Sequence, residues 1–334
     1  MMRGNQQPVT VLGDGGWGTT LAIHLARLGH PVCLWGAFPG YLRLLSRRRD
    51  NPKFLPGVRI PRAVRFCPDP VEAVAGAAAV VVAVPSQYLR RVARRIPARR
   101  VRQAVIVSVA KGLERRTLRR MSQILQEEWR TRRIVVVSGP TIASEVARGK
   151  PTSVVAASQD ARLAREIQAL FAGPAFRVYT STDVAGVELG GALKNPIAIA
   201  AGIADGLQLG SNAKAALMTR GLVELTRLGV AMGGRPQTFW GLSGLGDLLT
   251  TCMSPASRNR SLGEALGRGR SLRQVLGTTE MVVEGVETVR VALALGRKHR
   301  VELPIMREVE RVLFHSKSPR QAVQDLMTRA FKAE

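Results

Sequence analysis

Cysteine is scarce in this chain: three residues in 334, at Cys33, Cys67 and Cys252. They form no CxxC pair and no even set, which argues against a disulfide framework and against a zinc site. Histidine is nearly as rare, with four scattered residues and no HExxH or HxH spacing, so metal catalysis is not expected. Long apolar runs are missing too. The longest candidate, AVAGAAAVVVAVP at 73–85, is too short for a bilayer span and reads as a helix end followed by a buried strand. No membrane insertion is expected. The opening MMRGNQQP has no apolar centre, so no secretory signal is expected and the cytoplasm is the default compartment.

Acidic residues are few as well. Against 24 of them stand 50 lysines and arginines, for a formal net charge of +26. The runs LRRVARRIPARRVRQ (89–103) and LERRTLRRM (113–121) concentrate that charge and invite a nucleic-acid reading. They carry few aromatic residues for base stacking, and no zinc-finger or RNA-recognition signature accompanies them. The plainer reading is arginine on solvated faces, with no nucleic acid as partner. A positive field would also gather anionic metabolites at a cleft.

What is present is enough apolar material, 46% of the residues, for a large buried interior and two domains. Over the first 182 residues short β-branched runs alternate with helical segments. The runs are VTVLG (9–13), PVCLW (31–35), AVVVAVP (79–85), AVIVSVA (104–110), IVVVSGP (134–140), TSVVAAS (152–158) and FRVYTST (176–182). Continuously apolar strands separated by helices (17–28, 86–95, 117–130, 141–148, 160–172) mean a parallel, doubly wound α/β sheet. Beyond residue 183 the strand signals stop. Helical spacing takes over at 184–204, 210–233, 260–268, 280–298 and 303–315. The fold class is therefore α/β, a Rossmann-like sheet over 1–187 followed by an all-helical domain over 188–334.

The first strand runs into VTVLGDGGWGTTLAIHLARLGH, which sets Gly13, Gly15 and Gly18 in GxGxxG spacing. Gly13 permits a tight turn, Gly15 lets a pyrophosphate approach the backbone, and Gly18 lets the helix pack on the strand. The helix N-terminus adds free N–H groups and a positive dipole end. A site preferring NAD commonly has an acid at the end of the second strand. Here that strand ends Leu34-Trp35-Gly36-Ala37-Phe38, with no acid and no arginine before Arg43. Lacking a carboxylate to repel a ribose phosphate, the site leans to NADPH, with NAD also allowed.

Lysine is rare among the basic residues, with eight of the fifty, yet Lys194 sits in ELGGALKNPIAIAAG (188–202), an almost uncharged stretch. Lysine almost never goes inside unpaired. It either snorkels to solvent from a buried helix or serves chemistry in an apolar setting, where desolvation pulls a lysine's pKa towards working pH. Asn195 precedes Pro196, which disfavours helical geometry and predicts a helix start or kink near Lys194.

Further stretches complete a pattern: WGT (17–19), NPKFLPGVRIP (51–61), SVAKGLE (108–114), SGPTIASEVARGKPT (138–152), GLSGLGDLLTTCMSPASRNR (241–260) and VVEGVET (282–288). With ELGGALKN, they closely resemble the bacterial NAD(P)-dependent glycerol-3-phosphate dehydrogenases, in order, from residue 9 to about residue 315. The resemblance implies reversible reduction of dihydroxyacetone phosphate to sn-glycerol 3-phosphate, which supplies phospholipid backbones. It implies Lys194 as proton donor and acceptor, with Asp247 and Thr251 supporting it. Lys111 would lie where cofactor and substrate meet. Gly139, Thr141, Ser257, Arg258 and Asn259 would hold the substrate phosphate compound. Gly16 and Trp17 of the pyrophosphate turn, Phe54, Ala143, Arg258, Val282 and Glu284 would touch the cofactor. A homodimer is implied too.

The residues suit these roles on their own chemistry. No histidine lies in a motif, so another group must move the proton, and a desolvated lysine can. Arg258 offers a planar fork of donors for phosphate oxygens. Asp247 could instead merely cap a helix beginning at Leu248. Asp14 and Gly16 depart from the family's usual Ala and Ser, which touches cofactor affinity. Two other readings remain: a related ketopantoate-type reductase, which shares the lysine but not the SRNR and GDLLTT pair, and a basic nucleic-acid-binding protein on a dehydrogenase fold.

Overall fold

The computed structural model describes residues 6–278 and 281–330. Among the described residues ten strands form, β1 (Val9–Leu12), β2 (Val32–Trp35), β3 (Asp50–Asn51), β4 (Leu55–Arg59), β5 (Val64–Cys67), β6 (Ala79–Val82), β7 (Val105–Ser108), β8 (Ile134–Ser138), β9 (Thr152–Ala157) and β10 (Phe176–Ser181). Eight of them make one sheet in the order β10-β9-β8-β7-β6-β1-β2-β5, and β3 with β4 makes a separate hairpin. The central strands are buried along their whole length, as their unbroken Val and Ile runs require when helices cover both faces.

The sheet differs from the expectation in three respects. β9 pairs with β8 antiparallel, so β9 and β10 run opposite to the rest. Only a five-residue helix, Ala143–Ala147, separates β8 from β9, too short to carry the chain back along the sheet as a parallel crossover needs. β5 and the hairpin were absent from the sequence reading. β5 reads VRFC, with an exposed arginine on an edge strand, and its period-2 signal is only four residues long. The hairpin folds the NPKFLPG segment back against the first turn.

Helix α1 (Gly16–Arg27) follows β1. The C-terminal half is built from α2 (Val184–Gly206), α3 (Gly210–Ala231), α4 (Asp247–Met253), α5 (Arg258–Gly267), α6 (Glu284–His299) and α7 (Pro304–Phe314), with shorter helices between. The helix expected over 280–298 thus begins at Glu284. Residue 280 lies outside the described residues, as do the first five of the N-terminal stretch. No helix among the described residues is long and apolar enough to cross a membrane.

α2 is the axis of this half. Of the start or kink expected near Lys194, no start occurs: the helix runs from Val184 to Gly206, as the spacing over 184–204 predicts, with Pro196 inside it. A mid-helix proline costs about 3 kcal/mol. Every residue from Gly186 to Ala204 is buried, and that burial outweighs the local preference. Asp183 starts the helix by accepting from the Gly186 N–H at 2.8 Å. Against α5 the two backbones almost touch. A Cβ on Gly202 would stand 1.9 Å from the Arg260 carbonyl oxygen. Gly202→Val should therefore force the pair apart and cost at least about 3 kcal/mol, read as a lower melting temperature, because overpacked cores lose 1–3 kcal/mol even where side chains can yield. An unchanged melting curve would contradict this contact.

Candidate active site

The carboxyl ends of β7 and β8 meet the first half of α2, where a Cβ on Gly191 would stand 2.5 Å from Ser138 Oγ and 3.6 Å from Lys111 Cγ. Lys111 leaves the sheet three residues after β7, and Gly139 and Thr141 follow β8. α2 brings Lys194 to this edge. A short π-helical turn, Leu242–Gly246, ends at Asp247, the first residue of α4. Thr251 lies one turn further along the same helix face.

Asp247 is 1% exposed and stands between two lysines. Its Oδ1 accepts from Lys194 Nζ at 2.6 Å and its Oδ2 from Lys111 Nζ at 2.7 Å. Its side chain caps no helix, so the capping alternative falls away. The buried Lys194 ammonium and the half-buried Lys111 ammonium share one carboxylate, so both depend on the Asp247 charge.

The lysines differ in how their donors are used. Lys111 spends all three N–H groups, on Asp247, on the Gly139 carbonyl at 2.8 Å and on Thr141 Oγ1 at 2.9 Å. Lys194 donates to Asp247 and to Thr251 Oγ1. The Thr251 hydroxyl donates to the Asp247 carbonyl at 2.6 Å, so its lone pairs face Lys194. One N–H of Lys194 then remains for an oxygen of a bound molecule. Burial pulls the Lys111 ammonium down to about 8; the Asp247 charge opposes that shift and the Lys194 charge adds to it.

A polar chain ties the SRN segment to this centre. Asn195 Nδ2 donates to the Lys111 carbonyl at 3.2 Å. Asn259 Nδ2 donates to Asn195 Oδ1 at 3.0 Å, and the Gly285 N–H donates to Asn259 Oδ1 at 2.9 Å. Ser257 caps α5 by accepting from the Arg260 N–H. Arg258 is exposed and donates to the Val282 carbonyl at 2.6 Å, leaving most of its fork open. Asn195 carries a role that sequence reasoning missed; it was quoted in the motif but read only as the residue before a proline.

The glycine turn lies next to these groups. Gly13 has φ 121° and its N–H donates to the Trp35 carbonyl at 2.8 Å. α1 starts at Gly16 with no side-chain cap and no acid in its first turn, so its N–H groups are free for an anion. Nothing stands within 4 Å of where a Cβ on Gly15 would be. A Cβ on Gly16 would meet the Phe54 carbonyl oxygen at 2.6 Å and Ala143 Cβ at 3.9 Å. The serine usual at this position would not fit beside the hairpin as it lies here. Gly16, Phe54 and Ala143 are thus neighbours, while Trp17 packs partly buried against the sheet core. Glu284 bonds Ser86, whose N–H donates to its Oε1 at 3.0 Å and whose hydroxyl donates to its Oε2. Ser86 is a second missed residue. Its signal was its place, directly after AVVVAVP at a strand's carboxyl end.

Comparison with known proteins shows the family. The chain matches the family NAD-dependent glycerol-3-phosphate dehydrogenase in two blocks, the N-terminus over residues 8–164 and the C-terminus over residues 183–324. A glycerol-3-phosphate dehydrogenase [NAD(P)+] of Geobacter sp. (strain M21) is 48% identical over 331 residues, covering 98% of this chain and 99% of that protein. Its counterpart in Pelotomaculum thermopropionicum is 50% identical over 324 residues, covering 96% and 93%. The crystal structure of a glycerol-3-phosphate dehydrogenase from Coxiella burnetii superposes with a TM-score of 0.92 at 37% identity, covering 97% of this chain and 99% of that one.

Proposed function

As the chain belongs to the NAD-dependent glycerol-3-phosphate dehydrogenase family, we propose that Lys194 is the group that moves the proton when it interconverts dihydroxyacetone phosphate and sn-glycerol 3-phosphate. The nicotinamide dinucleotide supplies or takes the hydride. The observation that carries the reading is the donor count: Lys194, buried and held by Asp247 and Thr251, keeps one N–H for a substrate oxygen. In reduction that N–H polarises the ketone and passes its proton to the oxygen as negative charge builds there. The amine left behind is reprotonated from solvent. In oxidation the neutral amine takes the hydroxyl proton.

Lys111 acts differently. Tied to Asp247, Gly139 and Thr141, it is a fixed positive charge beside the substrate rather than a proton carrier. Arg258 grips the phosphate with its open fork, and Ser257 and Asn259 position the α5 N-terminus for it. Gly13, Gly15, Gly16, Trp17 and Gly18 form the pyrophosphate turn, with Phe54, Ala143, Val282 and Glu284 completing the dinucleotide's surroundings. Residues 1–187 thus hold the cofactor, and 188–334 supply the proton and the phosphate grip. The enzyme works as a cytoplasmic homodimer.

The test is the loss of NADH or NADPH absorbance on adding dihydroxyacetone phosphate, followed against pH. Lys111, at about 8, is charged below that pH and neutral above it. kcat/KM should therefore fall about tenfold per pH unit on an alkaline limb near 8, and Lys111→Met should lack that limb. A profile flat to pH 10 would remove the charge role of Lys111. No absorbance change with either cofactor would remove the whole reading.

A further inference from the structure

Asp14 stands in the GxGxxG turn at the position where the sequence reading found only a departure from the family. Its side chain does not reach towards the phosphate end of the turn. The carboxylate lies on Gly36, the residue directly after β2: a Cβ on Gly36 would stand 2.1 Å from Asp14 Oδ2 and 2.3 Å from its Cγ. Asp14 thus fills the place that a side chain at residue 36 would occupy. The end of the second strand, which looked bare of acid in the sequence, carries a carboxylate in space.

That carboxylate is unusual in its surroundings. Asp14 is 8% exposed, and its Oδ2 has no hydrogen-bond partner among the described residues. A buried carboxylate oxygen without a donor costs free energy, and such groups are nearly always satisfied. The loop around it is held firmly. The Asp14 carbonyl accepts from Asn51 Nδ2 at 2.9 Å and from Thr19 Oγ1 at 3.2 Å. Asn51 Oδ1 in turn accepts from Tyr41 at 2.6 Å and from the Phe54 N–H at 3.1 Å. Asn51 therefore locks the first turn to the hairpin and presents the carboxylate at a fixed point.

We propose that Asp14 is the residue that selects the cofactor, its carboxylate accepting from a ribose hydroxyl of NAD(H) and repelling the 2′-phosphate of NADP(H). In dinucleotide-binding sheets an acid at the end of the second strand accepts from the ribose 2′-hydroxyl. Here the acid comes from the first turn, and a glycine at residue 36 leaves room for it. The inference rests on the reading of the glycine turn as the dinucleotide site, and it replaces the lean to NADPH with a preference for NADH. Burial raises the Asp14 carboxyl to about 6, its own backbone N–H and Lys53 pulling the other way, so it is largely ionised at neutral pH. Ionised and lacking a donor at Oδ2, it gains most from a hydroxyl that brings one.

The test is direct binding, by calorimetry or by fluorescence of the reduced nicotinamide, with NADH and NADPH as separate ligands and no substrate present. The wild-type protein should bind NADH at least about tenfold more tightly than NADPH, since a hydrogen bond to a charged group contributes about 1.5–3 kcal/mol. Asp14→Ala should weaken NADH about tenfold, tighten NADPH, and bring the two within about threefold. Asp14→Asn, which keeps the shape but not the charge, should also relieve the repulsion of NADPH. Equal or tighter binding of NADPH by the wild-type protein would overturn the proposal while leaving the cofactor site intact. So would an unchanged ratio in both variants. Failure of both dinucleotides to bind the wild-type protein would overturn the cofactor site itself.

Discussion

Lys194→Ala is expected to lower kcat for dihydroxyacetone phosphate about 10⁴-fold while leaving NADH affinity within about twofold. General acid catalysis contributes about 10²–10⁴-fold, and loss of a fixed donor at a developing negative charge about 10²–10³-fold. Both belong to one group here, so they overlap rather than multiply. The fold should survive the change. Asp247 keeps Lys111 as its partner, so no buried carboxylate is left alone. Steady-state rates and cofactor binding, measured on the same preparation, check this. A loss confined to KM would mean that Lys194 only binds.

Asp247→Asn should be nearly as severe, for a different reason. The amide keeps the size of the carboxylate but not the charge that the buried Lys194 and half-buried Lys111 ammoniums share. Removing one partner of a buried ion pair costs about 3–5 kcal/mol. Two lysines face each other across this site, so thermal melting should shift down by several degrees. Lys111 also loses the charge that opposes its desolvation, and Lys194 loses its orientation. kcat should fall about 10²–10³-fold. A melting temperature and kcat within error of the wild type would show that Asp247 does not support the lysines.

Much of this could be read from the chain, and the parts that could not have identifiable causes. The central strands were legible because burial on both faces writes them as unbroken Val and Ile runs. Lys194 stood out because a lysine in apolar company needs a reason. Its bond to Asp247 was not legible, because the two are 53 positions apart and the intervening helices decide the approach. Pro196 suggested a helix start for the converse reason: local geometry disfavoured a continuous helix that tertiary burial then enforced over the segment the spacing had marked. The reversed β9 depended on the length of one small helix. Asp14 shows the same limit at the cofactor turn. Reading along the chain showed it only as a departure that touches cofactor affinity, whereas the fold lays it across Gly36, just past the end of the adjacent strand. Likewise, nothing in the sequence around Lys111 showed that burial draws its ammonium down to about 8.

The claim that matters most is that Lys194 supplies the proton in the chemical step itself. Single-turnover stopped flow of Lys194→Ala, with NADH bound beforehand and saturating dihydroxyacetone phosphate, observes that step without product release. The account predicts that NADH absorbance decays about 10⁴ times more slowly than in the wild type, with the full amplitude retained. Decay at the wild-type rate would contradict it.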